Sequence, residues 1–238
     1  MASAAFYKME PVPASNVNWK TTLAGDVKQL LGDAAHFGGA YARALLSDNR
    51  QFFVPVTGRP TKPDTSSSWT HGNGTKYILA LVNKLLTKVD AKDIGITTMY
   101  SEDKARLTEM LGSSDMSDVE VQEQVEVATV DSFRGREKKI IIVHFVAAFD
   151  GEDPFGFVAQ PNRLCFATTR AKEFMFLVGN LAHWEHRFFE SAPRGKLTQR
   201  SRDLGNRNAA MKLIVKYVRE NMQVVQPQWY ENGVKVTA

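Results

Sequence analysis

Three short, nearly unbroken apolar runs constrain this chain more than any other feature: IGITT at 94–98, KIIIVHFVAA at 139–148 and FMFLVGN at 174–180. Apolar runs of four to eight residues without alternation are the mark of strands buried on both faces. Helical spacing lies between them. In KYILALVNKLLTKV (76–89) the apolar residues Ile78, Leu81, Val82, Leu85, Leu86 and Val89 make one stripe. Residues 102–111, 162–171, 181–190 and 206–221 also read as helices, and EVATV (126–130) as a further strand. The alternation predicts an α/β fold: a parallel sheet with helices on both faces. Such sheets bind ligands beyond the carboxyl ends of their strands. The polar stretches TMYSED, TVDSFRGRE and VGN follow strands and are expected to converge on that one edge.

The chain of 238 residues is long enough for such a domain with appendages. Its single cysteine, Cys165, excludes an internal disulfide framework and reads as a small buried hydrophobe. No run approaches the roughly 18 apolar residues of a membrane span, and MASAAFYKME lacks a signal-peptide pattern. The expectation is an intracellular protein, cytoplasmic or nuclear, with no membrane partner. Net charge is only +4, but Arg194, Lys196, Arg200, Arg202, Arg207, Lys212 and Lys216 gather in the tail. That cluster suits phosphates or is simply a solvated helix face.

Two stretches carry chemistry. TVDSFRGRE (129–137) packs two hydroxyls, two arginines, a glycine and two acids into nine residues. RLCFATTRAK (163–172) sets Arg163 and Arg170 seven apart, on one face if the segment is a continuous helix. Two guanidiniums on one face need anions: a phosphate tail, or carboxylates from elsewhere in the fold.

Taken in order, GDVKQL (25–30), IGITTMYSED, VATVDSFRGRE, NRLCFATTRAK and FLVGN resemble the C-terminal motor half of superfamily 1 helicases. The relevant branch holds the RNA-decay helicases and the replication-associated helicase-nucleases. Its motifs read approximately GDxxQL, VxTPYxxQ, TVDSFQGRE and RLNVALTRAK. The resemblance covers about Leu23 to Asn180. It implies a RecA-like domain, a P-loop NTPase-type fold without the P-loop. Arg170 resembles the arginine finger, a group that in phosphoryl transfer is worth ~10³–10⁵ in rate. Gln29 matches the γ-phosphate sensor, with Asp26 supporting its loop. Gly135 and Glu137 match nucleotide-facing positions, and Arg163 matches an anchor of the last motif or a phosphate contact. Thr129, Ser132 and Tyr100 match contacts to the nucleic-acid strand.

Several features depart from the family pattern. The sequence contains no GxxxxGK[ST] to cradle phosphates and hold magnesium. HGNGTKY (71–77) has the wrong order, and Asn73 or Thr75 reads there as a helix cap. Met99, Arg134, Cys165 and Phe166 replace the usual proline, glutamine, asparagine and valine. His183 and His186 lie three apart without an acidic or cysteine partner, so no metal site is expected. The expected organisation is residues 1–74 as a remnant of the first motor domain plus a Pro/Ser/Thr/Gly linker, residues 75–190 as the RecA-like domain, and residues 191–238 as a basic helical tail. The resemblance implies half of an ATP-dependent helicase, inactive alone without Walker A and B segments. It would lend its arginine finger to a P-loop RecA-like domain and contact single-stranded RNA or DNA. ATP with Mg2+ would be bound only in the complete two-domain motor. The alternatives are a non-catalytic nucleic-acid-binding module and a truncated or decayed one.

Overall fold

The computed structural model describes residues 50–113, 125–150, 153, 155–190, 199–224, 229–231 and 234–236. Their order is β1 (Gln51–Pro55), α1 (Gly72–Leu86), β2 (Ile94–Thr98), α2 (Ser101–Ser113), β3 (Glu126–Thr129), β4 (Lys138–His144), α3 (Pro161–Ala167), β5 (Ala171–Gly179), α4 (Leu181–Glu190), α5 (Gln199–Asn221) and β6 (Gln223–Val224). A separate hairpin pairs β7 (Trp229–Glu231) with β8 (Val234–Val236). The first six strands form one sheet in the order β3-β2-β4-β5-β1-β6, with every pairing parallel. This is the RecA-like α/β architecture.

The apolar runs are unbroken because both faces of each strand are covered. Ile140, Ile142, Phe174, Phe176, Phe52 and Val54 face one core, filled by Ile78, Leu81 and Val82 of α1 and Leu107 and Leu111 of α2. Ile141, Val143, Met175, Leu177 and Phe53 face the other, filled by Leu164 of α3, Trp184 of α4 and Met211, Ile214 and Val218 of α5. Neighbouring residues on a strand point to opposite cores, so polar substitution at either parity would strand a polar group without water. Trp184 is the largest side chain fully buried in the second core. It meets Phe53 edge-on at 5.7 Å and donates its indole N–H to the carbonyl of Ala147 at 2.6 Å. Burying a side chain of this kind contributes roughly 1.5–3 kcal/mol. The hydrogen bond also fixes α4 against the chain leaving β4.

Four expectations need correction. The stretch before residue 75, expected as a remnant plus a Pro/Ser/Thr/Gly linker, is not a linker from Gln51 onward. Gln51–Pro55 lies inside the sheet, registered residue for residue on Met175–Gly179, and Thr61 pairs with Thr70. Its pairing partner lies more than 120 residues away, so no local pattern announced it. The helix after it is capped by His71, whose Nδ1 accepts from the Gly74 N–H at 3.1 Å, rather than by Asn73 or Thr75. Asn73 instead donates to the carbonyl of Thr57, and Thr75 to that of His71.

The segment 162–171 is not one helix. It ends at Ala167, where the hydroxyls of Thr168 and Thr169 bond the carbonyls of Leu164 and Cys165 at 2.8 and 2.9 Å and the chain passes into β5 at Ala171. Arg163 and Arg170 therefore do not share a helix face. Finally, α5 is not an appended basic face. Ala210, Met211, Ile214, Val215 and Val218 pack into the second core. Arg219 is held by both oxygens of Glu185 at 2.7 Å, and Arg207 by Asp153. Arg194 and Lys196 lie outside the described residues, as do the side chains of Arg200 and Arg202.

Candidate nucleotide and nucleic-acid contacts

The parallel order β3-β2-β4 forces the chain leaving β3 to return to the opposite edge before β4 can begin. Residues 130–137 make that crossing without a helix. Thr129 pairs with Thr98 at the carboxyl edge, whereas Lys138 pairs with Ala171 at the amino edge. The candidate residues therefore divide between two edges and do not converge on one.

At the carboxyl edge, Thr129 and Ser132 present a hydroxyl pair. Their oxygens are 2.8 Å apart, the Ser132 N–H points at the threonine oxygen at 3.3 Å, and the Ser132 hydroxyl reaches the Thr129 carbonyl at 3.0 Å. Tyr100 lies in the same region, at the end of β2, and is 8% exposed. Burial, reinforced by Asp153, pushes its phenol above the ordinary range against an opposing effect of Arg207. Tyr100 thus stays a neutral hydroxyl at any physiological pH.

At the amino edge, Gly135 turns the chain with φ +78°, and no atom lies within 4 Å of the position a Cβ would take. The glycine is there for backbone conformation, not for space. Glu137 follows it, exposed and 3.9 Å from the Lys172 amine. Arg170 precedes β5 on the neighbouring strand, and its carbonyl accepts the Lys138 N–H at 3.3 Å. Its guanidinium, partly buried, bonds the hydroxyl of Thr169 through Nε at 3.3 Å and Nη2 at 2.8 Å. The backbone pairing of Lys138 with Arg170 thus brings the glycine turn, Glu137 and Arg170 to one edge, where a carboxylate can accept from a ribose hydroxyl and a guanidinium can donate to phosphates.

Between the edges, Asp131 links the two motifs. Arg163 Nε donates to its Oδ2 at 2.9 Å, and Arg134 Nη2 donates to its Oδ1 at 3.0 Å. Arg163 also donates to Gln160. Arg163 is thereby engaged as an anchor of α3. Arg134 lies over the Phe166 ring at 4.9 Å, so both family-atypical residues of that pair face one another. Cys165 is partly buried. Asp26 and Gln29 lie outside the described residues.

Sequence reasoning missed two features. The first is a polar cluster in the core: His144 Nδ1 meets Asp103 Oδ2 at 2.7 Å, and Thr70 donates to Asp103 Oδ1 at 3.1 Å, with the His71 N–H at 3.4 Å. All four residues are at most 2% exposed. Burial first, and His144 second, hold His71 below its ordinary value. Burial acts to raise Asp103, but His144 and the hydrogen bonds from Thr98 and Thr70 outweigh it, and the carboxyl sits below its ordinary value. The one available signal was a histidine inside the otherwise apolar KIIIVHFVAA. The second feature is a groove of about 990 Å³ along the carboxyl edge, lined by Trp69, Tyr100, Thr129, Asp131 and Phe149 among others. Among the described residues no group of three or more His, Cys, Asp or Glu could hold a metal ion, and no helix is long and apolar enough to cross a membrane.

The profile of a protein family described as an AAA domain matches residues 1–182. In Caenorhabditis elegans, the protein named NFX1-type zinc finger-containing protein 1 homolog is 35% identical over 140 residues, which is 56% of this chain and 6% of that protein. Regulator of nonsense transcripts 1 of the same organism is 30% identical over 178 residues, 73% of this chain and 16% of that protein. The Saccharomyces cerevisiae ATP-dependent helicase NAM7 is 29% identical over 172 residues, 65% of this chain and 18% of that protein. The chain therefore spans less than a fifth of the length of each of these relatives.

Proposed function

The chain belongs to the AAA-domain family, as a helicase-like domain, and on that premise we propose that it is the C-terminal motor half of an ATP-dependent RNA or DNA helicase. In this reading the chain does two jobs on opposite edges of one sheet. Thr129, Ser132 and Tyr100 hold the backbone of a single strand. Arg170 stabilises charge on a phosphoryl group in transit, and Gly135 and Glu137 receive the nucleotide's sugar and phosphates. Gln29 senses the same phosphates from the segment before β1, with Asp26 supporting its loop.

The observation that supports this most is the path of residues 129–137. One nine-residue stretch carries hydroxyls at the carboxyl edge and a glycine–glutamate pair at the amino edge, beside Arg170. A change at the nucleotide end has a direct covalent route to the strand end. ATP with Mg2+ supplies the phosphoryl group. Arg170, Glu137 and the Gly135 turn are the groups on this side that would hold it. The sequence carries no GxxxxGK[ST], so the phosphate cradle belongs to a P-loop domain facing this edge.

Two assays test this: single-strand binding, and phosphate release from ATP with and without single-stranded RNA, beside an Arg170→Ala control. The expected result is binding of the strand and no release above the control. RNA-stimulated release that is lost in Arg170→Ala would overturn the division of labour, since this chain would then cradle the phosphates itself. Absence of strand binding would overturn the nucleic-acid role.

A further inference from the structure

Trp69 is the feature of the groove that the proposed contacts leave unused. It is only partly buried, whereas Trp184 has no exposure at all. Its ring packs on Phe149, also partly buried, with centroids 4.8 Å apart and planes tilted by 54°. Tyr100 meets the same phenylalanine edge-on at 6.2 Å.

The segment bearing Trp69 is fixed on both sides. The Ser68 hydroxyl accepts the Glu102 N–H at 3.2 Å, the Thr70 hydroxyl donates to Asp103, and Thr70 pairs with Thr61 through both backbone hydrogen bonds. Phe149 is fixed as well, since its carbonyl is 3.1 Å from His183 Nε2. An aromatic pair held this firmly, partly open to a groove, is ordered before anything binds.

The charges around the groove decide what it can admit. Three carboxylates line it: Asp131, Asp150 and Asp153. Each is already engaged. Asp131 is bound by Arg134 and Arg163, Asp150 by Arg59 at 2.6 Å and Arg187 at 3.2 Å, and Asp153 by Arg207. Arg59 lines the groove with these aspartates, and every carboxylate there is matched by at least one guanidinium, so the carboxylates do not stand as unpaired charges against a polyanion. An aromatic face inside a groove whose carboxylates are paired, next to the Thr129 hydroxyl, is suited to hold single-stranded nucleic acid by base stacking.

We propose that Trp69 and Phe149 form a stacking subsite for one unpaired base of the strand whose backbone meets Thr129. The subsite deepens the nucleic-acid reading above and rests on it. The shared ligand chemistry is a purine or pyrimidine ring on a single strand. RNA and DNA both carry it, and the Trp69 face does not tell them apart. Stacking tolerates any base, because every base has a π-face.

The test is fluorescence anisotropy with the full chain and a short labelled oligoadenylate, in ribose and deoxyribose forms, each beside the same backbone with its bases removed. The intact strand is expected to bind about tenfold or more tightly than the abasic one, the size of one lost base–aromatic stack. Trp69→Ala should erase the difference by weakening only the intact strand. Trp69→Phe, which keeps a π-face, should retain most of it. Equal affinity of the unmodified chain for intact and abasic strands would overturn the stacking subsite while leaving the backbone contacts standing. That comparison needs no variant, so a folding defect in Trp69→Ala cannot obscure it. Failure to bind either strand would overturn both proposals. A ribose-only difference would show that the 2′-hydroxyl, and not the ring, is being read.

Discussion

Arg163 grips Asp131 through two nitrogens at once: Nε and Nη2 each lie 2.9 Å from the same carboxylate oxygen, Oδ2. The pair joins the crossing loop to the first turn of α3, two segments separated by about thirty residues of chain. Asp131 is 43% exposed in its side chain, so the Coulombic part is screened and the coupling is modest. A double-mutant cycle of Asp131→Ala and Arg163→Ala, read by urea denaturation, should give an interaction of about 0.5 kcal/mol. Strict additivity of the two single losses would show that the grip does not hold the segments together.

Two glycines should fail for different reasons. Gly135 has open space around its missing Cβ but a φ of +78°. Gly135→Ala should cost about 1–2 kcal/mol from backbone strain alone, and Gly135→Asn clearly less, since asparagine tolerates that region. Gly74 has an ordinary backbone, but a Cβ there would fall 2.0 Å from His144 Nε2. Gly74→Ala should therefore be destabilising until His144 is shortened. Thermal melts of Gly74→Ala with and without His144→Ala check this. No recovery in the double variant would place the strain elsewhere.

That contrast shows where the sequence stops being legible. Gly135 could be read directly, because a turn after an apolar run needs a glycine within a few residues. The same holds for Ile94–Thr98, predicted residue for residue, and for Lys138–His144 and Ala171–Gly179, whose apolar runs follow from burial on both faces. Gly74 could not be read, because the atom it avoids belongs to a residue 70 positions away. β1 failed for the same reason: QFFVP is short, sits among prolines and threonines, and becomes a strand only by lying between β5 and β6. The separation of Arg170 from the α3 helix was hidden because the Arg170 carbonyl is taken by the Lys138 N–H, a partner about thirty residues away that no local pattern announces.

The hydroxyl pair gives a functional prediction. Thr129 and Ser132 bond each other and the Thr129 carbonyl, which holds the two oxygens side by side; a strand phosphate, which only accepts, is met by a hydroxyl proton that turns out of one of these bonds. Thr129→Val combined with Ser132→Ala should weaken single-strand binding about fivefold to tenfold, near the net worth of one to two hydrogen bonds. The weakening should persist across salt concentrations, because no charge has been removed. Unchanged affinity would mean that contacts other than these two hydroxyls carry the binding.

The buried cluster makes the fold acid-labile, and the sign follows from both of its shifted groups. His71 is held below its ordinary value of 6.5, so the unfolded chain takes up a proton that the folded chain refuses. Stability rises with pH wherever the unfolded state binds more protons. Stability is therefore lost as pH falls below 6.5 towards the lowered folded value. Asp103 is held below its ordinary value of 3.8, so its contribution is present above 3.8 and is lost as pH falls through the lowered folded value. The two losses have the same sign and occupy successive windows. Asp103→Asn keeps the size of the side chain but removes the charge that His144 and the Thr70 hydroxyl are set to meet. Urea midpoints measured from pH 8 down to pH 4 should fall for the unmodified chain, beginning near pH 6.5. His71→Asn should flatten that first decline, because the group that takes up the proton is gone. A decline of the same size in His71→Asn would assign the acid sensitivity to a different group.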